Sequence, residues 1–256
     1  MDMKKILVSL WLLVSVVGFG QTAQEGCETW FEEGNAAYNE GNYEQALTSY
    51  GAIEALGMES ALLYYNIGNT YYKMKEYPKA ILYYEKALKL DPSDEDIRTN
   101  LAIANLAIVD KINAIPQSFI NRWWNSLKSS FSADGWAWMS VVLFALLLLC
   151  LFAFLMSKRQ GMRKLGFFVG IVMLIGLALS VIFAIEKRSD LQRQDEAIIM
   201  TPTVTAKSSP STMSVDLFVL HEGTKVRILD AASDWRKIRL ADGTVGWLPA
   251  EDMIAF

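Results

Sequence analysis

The chain has 256 residues, 52 % of them hydrophobic, with 24 Lys and Arg against 28 Asp and Glu and a formal net charge of −4. An acidic balance without basic patches excludes a nucleic-acid binder, and two cysteines with one histidine leave no disulfide framework and no His-built metal centre.

Residues 1–20 carry Lys4 and Lys5, an apolar core over 6–17, and Gly18 and Gly20 ahead of Gln21. That is the layout of a secretory signal peptide. Residues 24–26 before Cys27 (Gln-Glu-Gly) are not a lipobox, so no lipid anchor is expected there. Residues 21–110 hold 15 acids and 6 bases, whereas 186–256 hold 11 and 9. The first soluble segment is therefore the acidic one.

Residues 27–112 repeat with a period of 34: Gly34 returns as Gly68, Asn35 as Asn69, Tyr38 as Tyr72, Ala46 as Ala80 and Tyr50 as Tyr84. Such a period predicts paired helices stacked into a solenoid, with small residues where the two helices of a unit touch. Pro92 ends the second unit. A capping helix follows, with Ile97, Leu101, Ala104 and Ile108 on one stripe and Ser93 as its predicted N-cap. These residues, with Trp30 or Tyr64, Tyr71 and Ala87, resemble the tetratricopeptide repeat. The resemblance implies a concave groove lined by the first helix of each unit. The matching positions are Phe31, Asn35, Tyr38 and Asn39, then Tyr65, Asn69, Tyr72 and Lys73, with Thr99 and Ile103 beyond them. A single lysine there departs from the multi-cation clamp that grips a terminal carboxylate.

Residues 116–135 form a predicted interfacial amphipathic segment, with Phe119, Ile120, Trp123, Leu127 and Phe131 on one face. Two uncharged runs of 21 residues, 136–156 and 165–185, are each long enough to cross a bilayer. The loop 157–164 between them holds Lys158, Arg159, Arg163 and Lys164, which predicts a cytoplasmic turn and both soluble parts on the opposite side. Cys150 falls inside the first span, so no bond to Cys27 is expected. Gly166 and Gly170 permit close packing of the hairpin.

Residues 196–256 change to short β-prone runs, read as five strands over 198–204, 217–220, 224–229, 235–240 and 244–248 with a tight turn at 241–243. Gly246-Trp247 and Trp235, with residues 220–226, resemble a bacterial SH3 domain, in which Trp235 takes the ligand-stacking place and Trp247 is expected in the core. The tyrosine that the resemblance requires after Pro249 is replaced by Asp252, which speaks against proline-rich ligands. His221 has no second metal ligand or nucleophile beside it and is read as a turn residue.

The fold class is thus a multidomain membrane protein: an all-α repeat module, a transmembrane hairpin and a small all-β SH3-like barrel. No catalytic, cofactor or metal site is predicted, because no Cys/His, Ser/His or paired-carboxylate constellation is present. The order of parts, with residues 94–101 (DEDIRTNL) and 109–112 (VDKI), resembles the BatE-type proteins of Bacteroidetes aerotolerance operons. This implies an inner-membrane protein with both soluble domains in the periplasm, protein partners such as von Willebrand A-domain membrane proteins, and a link to envelope stress. The expected function is a scaffold acting through the repeat groove. The alternative is a cell-wall sensor in which the SH3-like domain binds peptidoglycan.

Overall fold

The computed structural model describes residues 26–112, 115 and 118–256; the signal-peptide segment 1–20 and Pro116 lie outside them. Five helices build the first module: α1 over residues 26–39, α2 Tyr43–Ala55, α3 Ala61–Lys73, α4 Tyr77–Leu90 and α5 Glu95–Ala107. Gly34 lies where a Cβ would come within 2.4 Å of the Tyr50 ring, and Gly68 repeats this against Tyr84 at 2.7 Å. Ala46 and Ala80, both fully buried, allow the matching approach from the second helix of each unit. The turn between helices needs a left-handed residue, supplied by Gly41 in the first unit and by Lys75 in the second.

One capping detail departs from the expectation. Asp94, not Ser93, caps α5, accepting from the backbone N–H groups of Asp96 (2.9 Å) and Ile97 (3.1 Å). Ser93 is engaged instead by the Asp91 carboxylate.

Helix α6 (Phe119–Ser129) precedes two long helices, α7 (Ala133–Met156) and α8 (Gln160–Gln192), both long and apolar enough to cross a membrane. The link between them is only residues 157–159, because α8 begins inside the segment read as loop and runs two turns beyond the 165–185 span. Lys128 of α6 reaches back to Asp190 (2.7 Å) and Glu186 (3.2 Å) on that extension. Phe183 is buried between the rings of Trp124 and Trp136. The hairpin closes at Gly166, where a Cβ would sit 3.0 Å from the Cys150 carbonyl and 3.2 Å from the Phe154 nitrogen. Gly166→Leu should therefore lower the thermal midpoint of the detergent-solubilised chain. Gly161→Leu, with no atom within 4 Å of the new Cβ, should leave it unchanged.

The C-terminal module is one antiparallel sheet of seven strands: β1 Glu196–Ile199, β2 Thr203–Lys207, β3 Asp216–His221, β4 Lys225–Ala232, β5 Trp235–Arg239, β6 Val245–Pro249 and β7 Met253–Ala255, in the order β3-β2-β6-β5-β4-β1-β7. Seven replaces the five strands read from sequence. The run at 198–204 breaks into β1 and β2 around Thr201-Pro202, where proline has no N–H for a ladder, and Met200 N–H bonds the Asp252 carbonyl instead (2.8 Å). Trp247 is half-buried and outside the sheet core, because β6 turns its neighbours Gly246 and Leu248 inward. Phe218 packs directly over Gly246, where a Cβ would meet the ring at 3.0 Å.

The two modules touch. Ile198 and Phe256 of the sheet belong to the hydrophobic core of the helices, and Ile112 packs into the core of the sheet. Gly223, with φ +85°, lies against Ile108, and the Ile115 N–H bonds the Ala241 carbonyl (3.1 Å). Two polar clasps flank this contact. Asp110 accepts from the His221 backbone N–H (2.7 Å), its ring Nδ1 (2.8 Å) and the Thr224 hydroxyl (2.7 Å). Lys225 lies 2.8 Å from both Glu85 on α4 and Glu196 on β1. His221 thus serves as a structural tie at the module boundary.

Candidate functional site: the repeat groove

The first helix of each unit turns one face into an open groove. Two adjoining cavities lie along it. One, of about 300 Å³, is lined by Asn35, Tyr38, Asn39, Tyr50, Asn66 and Asn69. The other, of about 380 Å³, is lined by Tyr38, Tyr65, Asn69, Tyr72, Lys73, Tyr84, Asn100 and Ile103. The structure therefore brings Asn35, Tyr38, Asn39, Tyr65, Asn69, Tyr72 and Lys73 together on one surface. Ile103 joins them, while at the α5 end Asn100 takes the lining place for which Thr99 was read.

Beneath the surface runs a hydrogen-bond ladder with the period of the repeat. Asn35 Oδ1 accepts from the Tyr50 hydroxyl (2.7 Å) and Asn66 Nδ2 (2.9 Å). Thirty-four residues on, Asn69 Oδ1 accepts from the Tyr84 hydroxyl (2.8 Å) and Asn100 Nδ2 (2.9 Å). Asn100 Nδ2 also reaches the Tyr65 hydroxyl (2.9 Å). Each carboxamide oxygen has both lone pairs in use, so the Nδ2 hydrogens are what these two asparagines can offer to an incoming group. Burial pushes the Tyr50 hydroxyl up to about 12, against the Asn66 hydrogen bond, and raises Tyr84 and Tyr38 as well. These hydroxyls stay protonated through the physiological range, and those of Tyr50 and Tyr84 act as fixed donors to Asn35 and Asn69. The groove floor is thus neutral, polar and braced from behind, with Lys73, among the described residues, as the single cation lining either cavity.

Asn66, Asn100, Tyr50 and Tyr84 are the parts of this site that the groove reading did not name. The signal for them was present: the tyrosines share the repeat period, and Asn66 is in register with Asn100.

Trp235 stands apart on the other module. It opens β5, paired with Ala232 and Pro249, and is half-buried.

With this geometry in hand, comparison with known proteins is informative for both modules. Residues 61–94 match the Tetratricopeptide repeat family. The helical module is tetratricopeptide-like. Human Tetratricopeptide repeat protein 6 is 35 % identical over 65 residues, and human Tetratricopeptide repeat protein 12 is 38 % identical over 78 residues. The matches cover 25 % and 30 % of this chain but only 12 % and 11 % of those proteins, so the likeness is one of module and not of whole protein. Residues 220–253, from the end of β3 to the start of β7, match the family described as Bacterial dipeptidyl-peptidase Sh3 domain. The sheet module is accordingly SH3-like. A tetratricopeptide-like groove is suited to protein–protein contact, because repeated side chains on a rigid stack present donors at a fixed spacing.

Proposed function

We propose that the protein is a non-enzymatic, membrane-anchored adaptor whose repeat groove holds a segment of a partner protein. The observation that carries this is the continuous polar groove from Asn35 to Lys73, braced by the Asn–Tyr ladder and open to solvent. Lys158 and Arg159 between α7 and α8, with Arg163 and Lys164 in the first turns of α8, support a cytoplasmic turn with both soluble modules in the periplasm. Their contact with each other supports a shared side. The order of parts supports kinship with the BatE-type proteins. With it come von Willebrand A-domain membrane proteins as partners and a role in aerotolerance or envelope stress. Confinement to one membrane raises the effective concentration of such partners, so a weak groove contact suffices.

A second reading, peptidoglycan binding by the SH3-like module, is favoured by the match over residues 220–253 and by the partly exposed Trp235. One experiment separates the two. The full-length chain is recovered from native membranes in mild detergent, and what stays bound is measured by mass spectrometry. Asn39→Ala/Tyr72→Phe/Lys73→Ala, in which Phe keeps the ring contact with Tyr77, should lose bound membrane proteins by tenfold or more with an unchanged thermal midpoint. Asn35 and Asn69 are avoided because they hold the stack together. If the triple variant keeps every partner, and Trp235→Ala instead sheds wall fragments, the wall-binding function replaces the adaptor.

A further inference from the structure

A third cavity, of about 400 Å³, opens at the N-terminal ends of α1 and α3, and its chemistry differs from the rest of the groove. It is lined by Cys27, Phe31, Ile53, Met58 and Leu62, with Glu28, Glu32 and Glu59 among its lining residues. Leu62 is 57 % exposed and Met58 51 %, so the mouth of this cavity displays apolar surface. The cavity continues the groove. Phe31 packs on Tyr50, ring centroids 6.0 Å apart, and Tyr50 lines the Asn35 cavity, which shares Tyr38 and Asn69 with the cavity beyond it. Phe31 and Asn35 are one helical turn apart on the same helix.

We propose that the groove is chemically polarised and takes an extended segment that presents a large apolar side chain beside a Lys or Arg at one end and a carboxylate at the other. This rests on the groove being the partner site and names what the partner must carry. Among the described residues Glu28, Glu32 and Lys73 enter no ion pair, so both ends hold unmatched charge of opposite sign. Between them lie neutral asparagines and tyrosines, which suit the peptide backbone. From Leu62 to Lys73 the helical rise gives about 16 Å, the reach of about five extended residues. The matching acidic surface of a second copy would bring like charges to this end and is disfavoured there.

The test uses a photo-crosslinking residue at Leu62 in one full-length variant and at Ile103 in another, each in native membranes, with the captured peptides sequenced. The expected result is one partner segment caught at both positions, with an apolar residue and a Lys or Arg at the Leu62 end and an Asp or Glu within about five residues at the Ile103 end. Glu28→Lys/Glu32→Lys should cut the Leu62 cross-link fivefold or more and spare the one at Ile103. A segment caught at Ile103 alone, one of opposite polarity, or a Leu62 cross-link indifferent to the charge reversal overturns the polarity and leaves the adaptor groove standing. A Leu62 cross-link to a second copy of the chain does the same. No protein caught at either position overturns both.

Discussion

Gly68→Ala should destabilise the repeat module by about 2 kcal/mol, and Gly34→Ala by at least as much. Alanine in a helix is ordinarily worth up to about 1 kcal/mol over glycine, so the sign itself is diagnostic. At both positions the new methyl group enters the ring of a fully buried tyrosine, at 2.7 Å for Gly68 and 2.4 Å for Gly34. The ring cannot yield without breaking the hydroxyl bond to Asn69 or Asn35, so overpacking of about 1–3 kcal/mol combines with a lost hydrogen bond of about 1 kcal/mol. Gly51, inside α2 with nothing within 4 Å, is the internal control: Gly51→Ala should stabilise. Thermal unfolding followed by far-ultraviolet circular dichroism should move the midpoint down by several degrees for the first two variants and up for the third. A Gly68→Ala variant that behaves like Gly51→Ala would show that the helices are not packed as described.

The second large effect is at the boundary between the modules. Lys225→Met removes the cation between Glu85 and Glu196 and leaves Glu85, whose side chain is only 14 % exposed, buried without its partner. Breaking a fully buried pair costs about 3–5 kcal/mol; with Lys225 itself 36 % exposed, about 2 kcal/mol is expected. Hydrogen exchange should rise along β4, α4 and the end of α5 together, and Glu85→Gln in the same chain should restore much of the protection. Unchanged exchange in α4 and α5 would contradict a docked sheet.

The pH dependence of docking follows from the same groups. Partial burial of Asp110 acts to raise its carboxyl, but the His221 backbone, the Thr224 hydroxyl and the His221 ring together hold it below the usual range. Its contribution is present above the ordinary aspartate value, near 3.9, and is lost as pH falls through the depressed one. Burial acts to lower Lys225, yet Glu85 and Glu196 raise it, so its contribution persists to high pH and is lost only above the ordinary lysine value, near 10.4. Burial raises Glu85 against the pull of Lys225, so protonation of that group relieves a desolvation cost and opposes undocking there. Between these limits the modules stay together.

The helical stack was legible because its determinants recur. The 34-residue spacing of Gly34, Asn35, Tyr50 and their counterparts states both the period and the closest approach of the helices. The groove residues followed by register alone. What escaped the sequence depends on contacts with no local signature. Asp110 meets His221 across 111 residues, and Lys225 meets Glu85 across 140. Neither segment announces a partner. Strand β7 has only three residues, and it is a strand because β1 lies beside it. The choice of Asp94 over Ser93 as cap was decided by Asp91, which took the serine hydroxyl. Trp247 looked like core because large aromatics usually are, yet its strand's inward positions went to Gly246 and Leu248.

An adaptor of this kind requires the groove and the sheet to lie together on the outer side of the membrane, and sidedness can be read in one measurement. Intact spheroplasts are treated with a membrane-impermeant maleimide: one sample carries the native Cys27, and two others, in a Cys27→Ser background, carry Ser209→Cys in the loop after β2 or Ser157→Cys between α7 and α8. Cys27 and the position 209 thiol should label in intact cells, and the position 157 thiol only after permeabilisation. Labelling of position 157 from outside, or of the two soluble modules from opposite sides, would contradict the shared extracytoplasmic placement on which the adaptor function depends.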